Sequence, residues 1–169
     1  MLFFELRKKM NKTEQVLRQV SVSTLQTQLD YDGHVQVFEL NDPTVGLRGY
    51  VALHRLKHGK AIGGTRIYPY ARHTDALTDV LRLSKAMSYK CALAGVDLGG
   101  GKAVLIGDPR VVKTPAFLAA YARAITELRG TYYTGEDVGL SQKDVDDLRE
   151  SCPYIVGASG AAGDPSVFA

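Results

Sequence analysis

The chain has 169 residues, enough for one domain to bury most of its apolar surface and cramped for two. Hydrophobic residues make up 45% and charged residues 23%, the balance of a soluble globular protein, and no apolar run approaches the ~18 residues of a membrane-crossing helix. The net charge of +3 sits in residues 1–20, which hold five basic and two acidic side chains, so the body is neutral and lacks the excess of a nucleic-acid binder.

Cys91 and Cys152 are too few for a disulfide scaffold and lack metal-ligand spacing. The N-terminal MLFFELRKK places its charges after its apolar residues, the wrong order for a secretory signal. Together these features predict a reducing, cytoplasmic setting.

Residues 1–30 are mixed and polar and predict a helical or irregular segment of one or two short helices. Strand signals begin after Gly33, at Val35-Gln36-Val37-Phe38 and again from Leu47 to His54. Asn41-Asp42-Pro43 between them is turn chemistry and predicts an antiparallel pair. Thr74 is placed to cap a helix running to about Ala94, with Asp75 in its first turn. Ala103-Val104-Leu105-Ile106, closed by Gly107-Asp108-Pro109, predicts a buried strand and its turn.

Thr114-Pro115 predicts an N-cap and first helical position of a helix ending near Arg129. Tyr132-Tyr133-Thr134 predicts a strand. Ser141 and Asp144 have capping-box spacing, with Leu140 and Val145 spaced as a hydrophobic staple, and that helix ends near Glu150. Tyr154-Ile155-Val156 predicts one more strand. Helices alternating with short apolar strands predict an α/β domain over residues 31–156, three-layered, with a mixed, largely parallel sheet flanked by helices. Gly157 to Gly163 is a flexible stretch, and Asp164-Pro165 before apolar residues predicts the start of a further helix, so residues 157–169 are expected to be a hinge into a longer protein.

Three lysines carry the candidate chemistry. Lys85 has a half-polar helical neighbourhood that suits solvent. Lys90 has Ala86, Met87, Leu93 and Ala94 around it, so its amine either snorkels outward or is buried beside an anion. Lys102 follows Gly99-Gly100-Gly101, which leaves two readings: a tight turn with an exposed lysine, or a lysine on the floor of a ligand cleft. A phosphate-binding P-loop is excluded, because Val96 and Ala103 stand where its Gly and Ser/Thr are required. Gly63-Gly64-Thr65-Arg66 alone is explained equally by a bulge or turn. Glu136-Asp137 falls in a loop after a strand, where α/β folds place both turn formers and functional groups. His54, His58 and His73 have no metal-ligand spacing, and no metal is expected.

Four motifs occur in one order: Gly63-Gly64-Thr65-Arg66, Met87-Ser88-Tyr89-Lys90, Gly99-Gly100-Gly101-Lys102 and Gly135-Glu136-Asp137-Val138-Gly139. From Gly33 to Phe168 the chain resembles the N-terminal substrate-binding and dimerisation domain of the glutamate/leucine/phenylalanine/valine dehydrogenases. The GGGKAVLIGDP stretch resembles the leucine, phenylalanine and valine branch.

The resemblance implies reversible NAD-dependent oxidative deamination of an apolar L-amino acid to a 2-oxo acid and ammonium. It implies that Lys102 and Asp137 are catalytic, that Lys90 pairs with the substrate carboxylate, and that Gly63, Gly64 and Met87 line the substrate site. Ile62 and Gly135 are implied to line the side-chain pocket, the missing Cβ of Gly135 widening it toward a phenylalanine-like substrate. It further implies a homo-oligomer, at least a dimer, without membrane or nucleic-acid partners. Lys102 is expected to have a lowered pKa from partial desolvation and from the Lys90 charge. NAD is expected to be bound mainly by a second, Rossmann domain, because no G-x-G-x-x-G occurs here, and the fragment alone is expected to be inactive. The alternatives are a non-catalytic oligomerisation module and an amino-acid-binding module.

Overall fold

The computed structural model describes residues 16–159, so the expectations for residues 1–15 and for the helix start at Asp164-Pro165 lie outside the described residues. In chain order the elements are β1 (Leu17–Gln19), α1 (Val22–Leu25), β2 (Gln36–Asp42), β3 (Leu47–Leu53), β4 (Ala61–Tyr68), α2 (His73–Leu93), β5 (Gly99–Ile106), α3 (Pro109–Val112), α4 (Pro115–Glu127), β6 (Tyr132–Gly135) and α5 (Gln142–Ser151). Among the described residues before residue 30 there is one short helical turn, α1, capped by Ser21, and an edge strand, β1.

One six-stranded sheet has the order β1-β2-β3-β5-β4-β6. It is mixed, as expected, but its parallel part is smaller than the helix–strand alternation suggested. β1, β2, β3 and β5 pair antiparallel, while β4 pairs parallel with both β5 and β6. The parallel half carries the helical crossovers, since parallel neighbours cannot be joined by a hairpin. The 154–156 segment is not a full strand. It makes one parallel bridge between Ile155 and Thr134, closed by Thr134 N–H to the Tyr154 carbonyl (3.0 Å) and Val156 N–H to the Thr134 carbonyl (2.8 Å).

Two apolar clusters sandwich the sheet. On one face Leu53, Ile67, Ala103 and Leu105 pack with Phe117, Tyr121 and Ile125 of α4 and with Val145 and Leu148 of α5. On the other, Val37, Ala52, Val104 and Ile106 pack beneath Ala76, Leu77, Val80 and Leu81 of α2. The alternation within β5 follows from the strand's two-residue period, and burial on both faces explains its continuous apolar run.

Helix starts follow local chemistry with one exception. Thr114 accepts from the Phe117 N–H (3.2 Å), with Pro115 in the first turn of α4. Ser141 and Asp144 form a reciprocal capping box. Thr74 is not a cap: α2 starts at His73 after Arg72, and the Arg72–Asp75 ion pair at 2.6 Å tethers that first turn. Among the described residues, no helix is long and apolar enough to cross a membrane, and no cluster of His, Cys, Asp and Glu could hold a metal ion.

Candidate active site

The site is assembled from β4, β5, α2 and the loop after β6. The Gly63-Gly64 pair lies inside β4, not in a bulge or turn, and the Gly99–Gly101 triplet lies inside β5, not in a tight turn. Each glycine of the triplet admits a different neighbour. A Cβ on Gly99 would stand 1.9 Å from the Arg55 carbonyl, one on Gly100 2.0 Å from the Ser88 nitrogen, and one on Gly101 2.8 Å from the Tyr132 ring. The triplet lets α2 and neighbouring backbone close on the sheet, and the space it frees is taken by protein.

Lys102 is the residue that emerges from this packing into a cleft. It is 5% exposed, on the α2 face of β5 beside Val104. Period two puts Gly64 and Arg66 of β4 on that same face. A Cβ on Gly64 would stand 2.6 Å from the Glu136 carbonyl and 3.3 Å from Lys102 Nζ, so glycine there lets the 136–137 loop reach the lysine. Lys102 Nζ lies 3.1 Å from Asp137 Oδ2.

A second cation shares that oxygen: Arg66 Nε donates to Asp137 Oδ2 at 3.0 Å, and Arg66 Nη1 donates to Asp79 Oδ2 at 3.0 Å. The Tyr70 hydroxyl donates to the same Asp79 oxygen. Burial lowers the Lys102 pKa, the neighbouring Asp137 carboxylate opposes this, and the Arg66 charge adds to the lowering. The cation that acts most with desolvation is therefore Arg66, and not Lys90 as expected. Burial works against the Asp137 carboxylate, but Lys102 and Arg66 outweigh it and hold it below the usual carboxylate range.

The cleft has a volume of about 390 Å³, within the size range of small-molecule sites. Met87, Lys90 and Cys91 of α2, with Ala94 that caps its end, form one wall at the spacing of one helix face. Lys90 is exposed there, its amine at the open wall and not in the dry core. Ile62, Gly63, Gly64, Gly135, Lys102 and Asp137 line the same cleft, so all eight expected site residues converge.

Gly135 acts differently from the expectation. A Cβ there would stand 2.8 Å from the Val156 carbonyl, so the missing side chain admits the 154–156 segment, and Val156 becomes a cleft wall. Arg66, Asp79 and Val156 were given no site role from the sequence, although Arg66 closes one of the four motifs. Arg66 follows Gly64 by two residues and would share its face once β4 is recognised, and Asp79 sits three turns before Lys90 on α2.

A buried hydroxyl network supports the floor. Tyr132 Oη donates toward the carbonyls of Gly63 (3.0 Å) and Gly64 (3.2 Å), while Thr65 links to Thr134 (2.7 Å) and to Tyr121. His54 proves structural: it is 3% exposed, with Nδ1 at 2.8 Å from the Ser88 hydroxyl.

The family model described as "Glu/Leu/Phe/Val dehydrogenase, dimerisation domain" matches residues 32–154. Phenylalanine dehydrogenase of Caldalkalibacillus thermarum (strain TA2.A1) is 47% identical over 137 residues, covering 79% of this chain and 37% of that protein. Valine dehydrogenase of Streptomyces coelicolor is 47% identical over 142 residues, covering 82% of this chain and 39% of that protein. The chain thus spans well under half the length of these curated relatives. The solved structure of L-tryptophan dehydrogenase from Nostoc punctiforme superposes with a TM-score of 0.70 at 40% identity, over 73% of this chain and 37% of that one.

Proposed function

The chain belongs to the Glu/Leu/Phe/Val dehydrogenase family through its dimerisation domain, and from that premise we propose that it holds the amino acid in a reversible oxidative deamination of an apolar L-amino acid. The observation that carries this reading is the buried Lys102, lowered in pKa and paired with Asp137 in a cleft that also presents Lys90.

Lys90 is the docking point for the substrate carboxylate, a charge-assisted contact at the cleft wall. Once the amino acid has been oxidised to its iminium, neutral Lys102 takes a proton from the water that adds to the α-carbon, and the proton returned to the carbinolamine nitrogen lets the C–N bond break with ammonium leaving as the carbonyl forms. Asp137 hydrogen-bonds the substrate amine. Ile62, Met87 and Val156 supply an apolar wall, which suits a bulky apolar side chain, phenylalanine-like over valine-like.

The oxidation requires a nicotinamide acceptor, which we take to be NAD. The glycine triplet of β5 does not fit a dinucleotide phosphate, because the spaces left by Gly99, Gly100 and Gly101 are filled by Arg55, Ser88 and Tyr132. We therefore assign its binding outside the described residues. The family's dimerisation role supports a homo-oligomer, and two free buried cysteines are consistent with the cytoplasm.

The test is turnover of L-phenylalanine, L-leucine and L-valine by the complete polypeptide containing this sequence. Lys102→Ala is expected to lower kcat by about a thousandfold, the middle of the range for losing a general base. Near-normal turnover by that variant would sink the assignment. The 169-residue chain alone is expected to produce no NADH.

A further inference from the structure

The most developed feature that the mechanism leaves unused is the line of side chains behind Asp137. It runs from the Tyr70 hydroxyl to Asp79, from Asp79 to the Arg66 guanidinium, and from Arg66 to Asp137 and Lys102. The guanidinium bridges two carboxylates through different nitrogens, Nη1 to Asp79 and Nε to Asp137, each at 3.0 Å. A rigid planar fork can do this, whereas a single ammonium is a poor substitute. Both Arg66 and Lys102 approach the same oxygen of Asp137, Oδ2, and no bond among the described residues reaches Oδ1.

We propose that Arg66, anchored from α2 by Asp79, is the positioning residue of the Lys102–Asp137 pair: it holds the carboxylate in place and neutralises it independently of Lys102.

The physical reason lies in what happens when Lys102 gives up its proton. Were Lys102 the sole partner of Asp137, deprotonation would strand a carboxylate, only 25% exposed, without a counter-charge. The lysine would then hold its proton tightly. With Arg66 fixed on Oδ2, the carboxylate keeps one cation in either state of the lysine, and the Arg66 charge also repels a protonated Lys102. Asp79 has the opposite influence. It draws on Arg66, and its own negative charge favours protonated Lys102. Of the other charged groups at the cleft, Lys90 on α2 and Glu136 beside Asp137 are both exposed. Burial keeps the Cys91 thiol and the Tyr132 hydroxyl protonated, so neither adds a charge beside Lys102. This proposal deepens the reading of Lys102 as a proton acceptor and rests on it for its consequence in turnover, though not for the titration itself.

The experiment is a pH titration of the Lys102 ¹³Cε resonance in the 169-residue chain, assigned by its loss in Lys102→Ala. Arg66→Gln is expected to raise the Lys102 midpoint by about one unit, which is about a tenfold smaller neutral fraction at pH well below both midpoints. Arg66→Lys should recover part of that shift, because the charge returns without the fork. Asp79→Asn is expected to move the midpoint the other way. Opposite shifts are the signature, since simple loosening of the site would expose Lys102 in both variants and raise both midpoints. An unmoved or lowered midpoint in Arg66→Gln, or a raised one in Asp79→Asn, overturns the proposal; if Arg66→Gln does not fold, the Asp79→Asn direction decides alone. If the titrations behave as expected but the complete polypeptide turns over no amino acid, the functional reading fails and the positioning role stands.

Discussion

Gly64 decides whether Lys102 meets Asp137. Its open side lies 2.6 Å from the Glu136 carbonyl and 2.9 Å from the Asp137 Cβ, distances no real Cβ could keep. Gly64→Ala is therefore expected to push the 136–137 loop off the strand and separate the pair. The destabilisation should be about 1–3 kcal/mol, the usual cost of overpacking a tight site. The measurement is a urea midpoint together with the response of Lys102 to Asp137→Asn. Once the pair is broken, that second change should no longer move the lysine. A fully coupled pair in the alanine variant would show that the glycine is dispensable. At this scale the motif Gly-Gly was visible in the sequence, but its reason was not. A glycine in a strand reads as a defect until the element across from it is known.

The elements divide by how local their causes are. The start of α5 is specified within a few neighbouring positions, by the Ser141–Asp144 box and by Leu140 and Val145 buried on either side of it. Asp144 also accepts from Lys113 at 2.6 Å, which ties the connection before α4 to α5. Ser141→Ala is expected to cost ~1 kcal/mol in chemical denaturation, while Asp144→Ala, which removes the box and the Lys113 partner together, should cost more. Equal costs would mean that the Lys113 contact adds nothing. The β4 strand stands at the other extreme. Ala61-Ile62-Gly63-Gly64-Thr65-Arg66 has weak strand propensity, and only its place between β5 and β6 makes it a strand. That is why the β4 register, and with it the common face of Gly64 and Arg66, was not legible. The 154–156 segment fails in the reverse sense: its residues suit a strand, yet its pairing with β6 stops at one bridge.

Across the whole molecule, the long connection before β2 is locked to the α2 layer by two buried histidines. His34 Nε2 lies 3.0 Å from the Leu81 carbonyl and 3.1 Å from the Ser84 hydroxyl, and its ring packs edge-on against His54. Burial lowers the His34 pKa to about 4, with the Leu81 carbonyl opposing, and burial lowers His54 in the same direction. An unfolded histidine titrates near 6.5, so between these values the unfolded chain binds a proton that the folded chain refuses. Stability is then complete above about pH 6.5 and falls as pH drops toward 4, by at most ~1.4 kcal/mol per unit for His34. Urea midpoints taken from pH 7 to pH 4 should fall in the parent and fall less in His34→Gln. A parent profile that is flat across this window would refute the burial argument.

Taken by itself, the sequence determined what depends on neighbours a few residues away: the helix caps at Thr114 and Ser141, the apolar β5 core, and the four motifs that mark the family. Lys90, Lys102 and Asp137 became candidates through those four motifs and the family they resemble, since their local patterns alone left each of them with a second reading. The tertiary structure alone decided which groups touch. Arg66 reaches Asp137 across 71 positions of chain, and Val156 fills the space beside Gly135, contacts that no local pattern encodes. The strength of an amine as a base depends on its desolvation and on the charges within a few ångströms. Both are properties of the packed layers of sheet and helix, so the chemistry of Lys102 could be named from sequence but explained only from the fold.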